Sequence, residues 1–173
     1  MRPLRILIVE DLESDANLIL RQLRKAGYAV EFERVETAAQ MQTALERHSW
    51  EIITSDYSLP QFNAPAALAV LQKSGLDIPF IVISGEQPEE LAVALMKAGA
   101  QDYLKKDNLA RLGPVLEREL TQARKRREHR AAEEALKASE ERYRTIIEQA
   151  SDGIFIADVQ GKYQDVNAAG CAM

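Results

Sequence analysis

The sequence has 173 residues, of which 46% are apolar and 28% are charged, and its formal net charge at pH 7 is −5. This balance suits a globular protein and excludes a disordered or collagen-like chain. No apolar run approaches the roughly 18 residues of a membrane span, so we expect neither a membrane protein nor a secretory signal. The single cysteine, Cys171, excludes an internal disulfide and a zinc cluster and fits a cytoplasmic location.

Short apolar runs alternate with segments of helical spacing through the first hundred residues. Strands are predicted over residues 6–9, 30–35, 52–55, 78–83 and 101–104. Helices are predicted over residues 16–23, 37–48, 65–73 and 88–98, followed by a helical region from about residue 108. Such alternation predicts an α/β domain, with a doubly wound five-stranded parallel sheet that is covered by helices on both faces.

Polar side chains follow the predicted strands at their carboxyl ends. These side chains are Glu10, Asp11, Asp56, Ser84 and Lys105. Because the strand ends meet at one edge of a parallel sheet, we expect all five to share one crevice. Three converging carboxylates suit Mg²⁺, and a carboxylate beside a metal and a lysine can act as a nucleophile in phosphoryl transfer. Each residue alone is more often a turn former, a cap or a solvated side chain, so the prediction depends on the whole set.

Four motifs in this stretch closely resemble those of the receiver domain of two-component response regulators. They are Ile-Leu-Ile-Val-Glu-Asp at 6–11, Ser-Asp-Tyr-Ser-Leu-Pro at 55–60, Ile-Val-Ile-Ser-Gly at 81–85 and Gly-Ala-Gln-Asp-Tyr-Leu-Lys at 99–105. The resemblance covers about residues 4–112 and implies a flavodoxin-like fold. We therefore assign residues 1–112 to a receiver domain.

The resemblance also implies a phosphoacceptor site. Asp56 would accept a phosphoryl group from the phosphohistidine of a sensor histidine kinase or a phosphotransfer protein. Glu10, Asp11 and Asp56, with the backbone carbonyl of Ser58, would hold Mg²⁺. Lys105 would contact the phosphoryl oxygens. The receiver itself is not expected to be an enzyme beyond its own phosphorylation.

A switch pair is implied by the same resemblance. The hydroxyl of Ser84 would move toward the phosphate, and the ring of Tyr103 would turn inward. Together they would reshape the face formed by the fourth helix, the fifth strand and the fifth helix. The signal would then pass through a connector helix to a PAS-linked output.

Two positions depart from the usual pattern of the family. Lys106 follows Lys105 where the family usually has proline, and since a cis bond before a non-proline residue costs about 2.5–4 kcal/mol, we expect a trans bond there. Asn63-Ala64 replaces an Asp-Gly pair, so the loop after Asp56 cannot use the positive φ of glycine.

A long helical connector is predicted next, over residues 113–149. Residues 117–144 contain neither Gly nor Pro and carry nine basic and seven acidic residues, which is typical of a solvated helix. Steps of four and three define an apolar seam of Ala132, Leu136, Ser139, Tyr143, Ile146 and Ala150. We expect a parallel homodimer through this seam, the alternative being a single solvated helix. The basic cluster at 124–130 is explained by a solvated surface, so no nucleic-acid binding is expected.

The residues from 151 onward differ in composition from the connector. Ser-Asp-Gly-Ile-Phe-Ile-Ala-Asp at 151–158 and Val-Asn-Ala-Ala at 166–169 resemble the N-terminal part of a PAS sensory domain. Residues 150–173 would be its start, with strands near 154–158 and 163–166. A lone hairpin is marginal in water, so we expect the chain to be a fragment of a longer signalling protein whose output lies beyond residue 173.

Two other function classes compete with the phosphoacceptor. A phosphohydrolase with an aspartate nucleophile needs a second Asp two residues after that nucleophile, where this chain has Ser58. A nucleotide or flavin binder needs a Gly-x-Gly-x-x-Gly or Ser/Thr-rich phosphate loop after the first strand, and the sequence has none there.

Overall fold

The computed structural model describes residues 1–85 and 89–171. Strands and helices alternate through the first part of the chain: β1 (Arg2–Val9), α1 (Glu13–Lys25), β2 (Tyr28–Val35), α2 (Ala38–Arg47), β3 (Ile52–Asp56), α3 (Ala64–Ser74), β4 (Phe80–Ser84), α4 (Glu89–Ala98) and β5 (Asp102–Lys105). A 3₁₀ turn at Lys106–Arg111 leads into α5 (Leu112–Gln149), which is followed by β6 (Phe155–Ala157), β7 (Tyr163–Val166) and α6 (Ala168–Cys171).

The first five strands form one parallel sheet in the order β2-β1-β3-β4-β5. This arrangement confirms the predicted flavodoxin-like, doubly wound fold. The winding direction switches between β1 and β3, which are neighbours in the sheet. Their register pairs Val9 with Ser55, so the residues that follow, Glu10 and Asp56, lie side by side at the carboxyl edge.

Helices cover both faces of the sheet, which explains why its strands are apolar runs without alternation. On one face, α2, α3 and α4 pack against buried strand residues that include Leu7, Val9, Ile53, Phe80 and Val82. On the other face, α1 and the first turns of α5 pack against Ile6, Ile8, Ile52, Ile81 and Ile83. The two buried layers fix the directions in which the strand ends project.

Local signals explain where several helices begin and end. The hydroxyl of Thr37 accepts a hydrogen bond from the backbone of Gln40 and caps α2, as predicted. Asn63 caps α3 with an extended backbone, so the loop after Asp56 forms without a glycine. The predicted fourth helix started at Pro88, which lies outside the described residues. All described peptide bonds are trans, as expected at Lys106.

The contacts within the chain divide it into two units, Met1–Lys125 and Arg126–Met173. The first unit extends past residue 112 because Leu112, Val115, Leu116 and Ala123 of α5 are buried in its core. The predicted domain boundaries at residues 112 and 149 stay predictions. Among the described residues, no helix is both long and apolar enough to cross a membrane.

In the second unit, one buried side chain ties the β6-β7 hairpin to the end of α5. The amide of Asn167 donates to the carbonyl of Ile147 at 2.9 Å and to that of Asp152 at 3.0 Å. Its oxygen accepts from the backbone of Ile154 and Gly170. Because all four hydrogen-bonding positions of the amide are used, the hairpin is anchored rather than isolated.

One buried hydroxyl on the strand that carries Asp56 generates a stability prediction. Thr54 is fully buried, and its Oγ1 has no hydrogen-bond partner among the described residues. Ser55 is also buried, but its hydroxyl donates to the carbonyl of Asp56 at 2.9 Å. We expect Thr54→Val to raise the free energy of unfolding by about 1 kcal/mol, and Ser55→Ala to lower it by about 1 kcal/mol. Urea unfolding followed by Trp50 fluorescence measures both, and a destabilised Thr54→Val variant would contradict the expectation.

Candidate functional site

Three carboxylates meet where the sheet changes its winding direction. Glu10 and Asp11 follow β1 directly, and Asp56 is the last residue of β3. Their carboxylate oxygens lie within 4.8 Å of one another. Glu10 is almost completely buried, whereas Asp11 and Asp56 are partly exposed. The structure thus brings together the three acidic residues that the sequence analysis placed in one crevice.

The positive charge in this cluster belongs to Lys106, one residue after the lysine singled out from the sequence. Its Nζ lies 3.0 Å from Glu10 Oε2, 2.5 Å from Asp15 Oδ2 and 3.2 Å from Asp56 Oδ2. Lys105 is exposed. The structure thus places Lys106, and not Lys105, against these carboxylates, whereas the predicted contact of Lys105 with phosphoryl oxygens stays a prediction.

Strand alternation explains this one-residue difference. Successive side chains of β5 point to opposite faces of the sheet. Leu104 is buried on the same face as Ile52, whereas Tyr103 packs against the opposite face. Ile52 lies four residues before Asp56 in β3, so Asp56 projects from the face that holds Leu104. Lys105 follows the side of Tyr103, and only the next residue returns to the side of the carboxylates. A shift of one position moves a side chain to the other face.

Burial and the lysine act on the cluster in opposite directions. Burial raises the pKa of Glu10 to about 7, although hydrogen bonds from Lys106 and from the backbone of Leu12 counteract the shift. Burial alone would lower the pKa of Lys106, but hydrogen bonds to Asp15 and Glu10 raise it above its ordinary value. Lys106 therefore stays charged and supplies the counter-charge that converging carboxylates need.

The two oxygens of Asp56 have different surroundings. Oδ1 accepts a hydrogen bond of 2.7 Å from the backbone of Tyr57, which orients the carboxylate within its own loop. Oδ2 faces Lys106 at 3.2 Å. Because Asp56 is partly exposed, the carboxylate is both oriented and accessible from solvent.

The remaining predicted residues lie nearby in the same unit. Ser84 is buried at the end of β4, one step beyond Ile83, which pairs with Asp56. The ring of Tyr103 packs against the core, and its hydroxyl is buried with no hydrogen-bond partner among the described residues. Ser58 is exposed, two residues after Asp56. The roles of these three residues stay predictions.

Two further residues contact the cluster and were not found from the sequence. Asp15 lies in the first turn of α1, where its Oδ2 accepts from Lys106 Nζ. Asp11 precedes the helix and its extended N-cap Leu12, so no helical spacing in the sequence connects the two aspartates. Arg34 near the end of β2 donates from Nη1 to the carbonyls of Glu10 and Asp11, both at 2.9 Å. Nothing local to Arg34 in the sequence indicates this contact.

The donor set fits Mg²⁺. This hard cation prefers oxygen ligands and is usually held by one or two carboxylates, with waters and phosphate completing its shell. Glu10, Asp11 and Asp56 offer carboxylate oxygens within 4.8 Å of one another, at a partly exposed edge of the sheet. The charge of Lys106 already balances part of this set, as a bound cation would.

Comparisons with known proteins identify the fold around this site. Residues 6–116 match the response regulator receiver domain family, and residues 141–173 match the PAS domain family. Response regulator MprA from Mycolicibacterium vanbaalenii is 30% identical over 121 residues, which cover 67% of this chain and 52% of MprA. The chain thus spans about half the length of that relative.

Solved structures give the same result. NtrX from Brucella abortus is similar with a TM-score of 0.67 and 27% identity, over 76% of this chain and 30% of NtrX. A sensor protein from Polaromonas sp. JS666 is similar with a TM-score of 0.61 and 27% identity, over 71% of this chain and 99% of that protein. With its parallel sheet and acidic edge, this chain belongs to the response regulator receiver domain family of two-component systems.

Proposed function

We propose that the chain is a phosphoacceptor module, in which Asp56 receives a phosphoryl group from a sensor histidine kinase or a phosphotransfer protein. The observation that carries the proposal is the position of Asp56 Oδ2, which lies at a partly exposed sheet edge, 3.2 Å from Lys106 Nζ and beside two further carboxylates. Membership of the receiver family supports the same assignment.

The chemistry follows from these neighbours. The Asp56 carboxylate attacks phosphorus and forms an acyl phosphate, while the bond from phosphorus to the donor nitrogen breaks. Lys106, rather than Lys105, neutralises charge on the phosphoryl oxygens. Glu10, Asp11, Asp56 and the Ser58 carbonyl would hold Mg²⁺, which supplies charge neutralisation at the same oxygens.

The proposal extends to the start of α5, which follows the site closely along the chain. The 3₁₀ turn that begins with Lys106 leads directly into α5. Arg118 of α5 binds Asp102 of β5 at 2.6 Å, next to the proposed switch residue Tyr103. We propose that Ser84 and Tyr103 respond to phosphorylation and that α5 passes the change to a PAS-linked output.

The connector seam supports a parallel homodimer. Leu136, Tyr143 and Ile146 are exposed by 61%, 59% and 63%, although all three are large and apolar. They follow the spacing of four and three that a coiled coil requires. A second copy of the same helix would cover them, and the seam then gives both helices one register.

The acceptor assignment predicts that Asp56→Asn abolishes phosphorylation by acetyl phosphate in the presence of Mg²⁺, because the amide is a poor nucleophile. Asp152→Asn is the matched control, since its side chain is exposed and lies in the other unit. Intact-mass spectrometry measures the added phosphoryl group. A full phosphoryl group on Asp56→Asn would refute the assignment, whereas sustained release of phosphate by the parent chain would indicate a hydrolase.

The proposed role of Lys106 gives a second prediction. Lys106→Ala should slow phosphorylation by acetyl phosphate roughly 100-fold, because one charged donor to the phosphoryl oxygens is lost. Lys105→Ala removes the same charge from an exposed neighbour and should leave the rate unchanged. Single-turnover kinetics followed by mass spectrometry compares the two. The opposite ranking would restore Lys105 as the site lysine.

The dimer gives a third prediction. Leu136→Glu with Ile146→Glu should convert the chain to a monomer at micromolar concentration, because charges would then face each other across the seam. Lys137→Glu, which lies off the seam, should remain dimeric. Analytical ultracentrifugation distinguishes these states.

Signal passage can be measured in the same dimer. With Cys171 replaced by Ser, a spin label at Lys137 reports the spacing of the two helices with and without beryllofluoride, a phosphoryl mimic. A parent chain that is monomeric would refute the dimer. Identical distance distributions in a dimer would refute only the passage of the signal.

A further inference from the structure

The loop that carries Glu10 and Asp11 joins β1 to α1, and within it the backbone amide of Leu12 donates to Glu10 Oε1 at 3.2 Å. The last backbone hydrogen bond between β1 and β2 runs from the amide of Glu10 to the carbonyl of Val35 at 3.1 Å. Leu12 is the N-cap of α1, and its apolar side chain makes no capping hydrogen bond. The carbonyls of Glu10 and Asp11 lie between these two points, beyond the sheet ladder and before the helix.

Arg34 supplies the missing hydrogen bonds. Its register partner in β1 is Ile8, so its side chain starts two residues before Glu10 and reaches across the end of the strand. Nη1 donates to the carbonyls of Glu10 and Asp11, each at 2.9 Å. One guanidinium nitrogen thus binds the carbonyls of two consecutive residues, and these residues carry two of the three clustered carboxylates.

The guanidinium is itself oriented by its own neighbours. Glu36 Oε1 accepts from Arg34 Nη1 at 2.5 Å. The side-chain oxygen of Gln40 in turn accepts from the backbone amide of Glu36 at 2.8 Å. This chain of contacts connects the first turn of α2 with the acidic loop.

We propose that Arg34 is a positioning residue for the metal site: it holds the backbone of Glu10 and Asp11 so that their carboxylates converge on Asp56. The inference rests on the proposed function, because it concerns the Mg²⁺ that these carboxylates would bind. Residues that orient metal ligands from outside the first coordination sphere typically contribute 10- to 100-fold in affinity.

The sign of the effect distinguishes positioning from simple electrostatics. The charge of Arg34 repels a cation, so if Arg34 acted only through its charge, removing it would tighten Mg²⁺ binding. If Arg34 positions the ligands, Arg34→Gln weakens binding in spite of the lost positive charge. If Arg34 only stabilised the fold, Arg34→Gln would lower the free energy of unfolding without weakening Mg²⁺ binding by the folded protein.

The experiment is calorimetric titration of the full chain with MgCl₂. We expect Arg34→Gln to weaken affinity about 10-fold and Arg34→Lys to restore part of it, because an ammonium can reach one or two of the same acceptors. Arg47→Gln is the matched control, since it removes an equal charge from an exposed position on α2 and should not weaken binding. Asp11→Asn removes a proposed ligand and provides the reference for loss of the site.

Unfolding in EDTA, followed by Trp50 fluorescence, shows whether each variant is folded during the titration. If Arg34→Gln is not folded, Arg34→Lys replaces it, because it keeps the positive charge but lacks the planar fork of the guanidinium, and it should weaken Mg²⁺ binding by a smaller factor. Unchanged or tighter binding in the folded Arg34 variant, with loss in Asp11→Asn, would overturn the role of Arg34 alone. A parent chain that binds no Mg²⁺ would overturn the proposed metal site as well.

Discussion

The constraint on which the site depends is the repulsion among carboxylates that the sheet topology forces together. Parallel strands β1 and β3 end at the same edge, and their register leaves Glu10, Asp11 and Asp56 with oxygens within 4.8 Å. Such a cluster needs either a bound proton or a cation among its members to offset the repulsion. Lys106 fills this role here, and its contact with Asp15 gives it a partner outside the three clustered carboxylates. The proposed phosphoacceptor site is thus a charge balance that ligands would shift.

Much of this arrangement could be predicted from the sequence, because it depends on local patterns. The runs of apolar residues predicted all five parallel strands, and the polar residues at their ends predicted the acidic edge. The capping hydroxyl of Thr37 was also predicted from residue type and position alone. These features depend on short segments whose neighbours in space are fixed by the topology rather than by distant side chains.

The features that could not be predicted depend on direction rather than on position. Lys105 and Lys106 are adjacent and chemically identical, and only the alternation of β5 decides which one faces the carboxylates. The hydrogen bonds of Arg34 depend on the reach of a long side chain across a strand end, and no periodicity encodes that reach. The anchoring of the hairpin by Asn167 likewise requires four partners from three separate segments. Sequence patterns therefore place elements well and place individual atoms poorly.

The lysine also connects the charge balance with the rest of the chain. Lys106 opens the 3₁₀ turn, Leu109 within that turn is buried, and Leu112 begins α5 with its side chain in the same core layer. Under the proposed function, a phosphoryl group on Asp56 would introduce new oxygens that compete for Lys106 with Glu10 and Asp15, so the position of this lysine would depend on the occupancy of Asp56. Only five residues separate Lys106 from the first residue of α5, so a displaced lysine would act on a turn that is packed into the core at Leu109. In the proposed function, Lys106 would thus give a short route from Asp56 to α5, in addition to the one proposed through Ser84 and Tyr103.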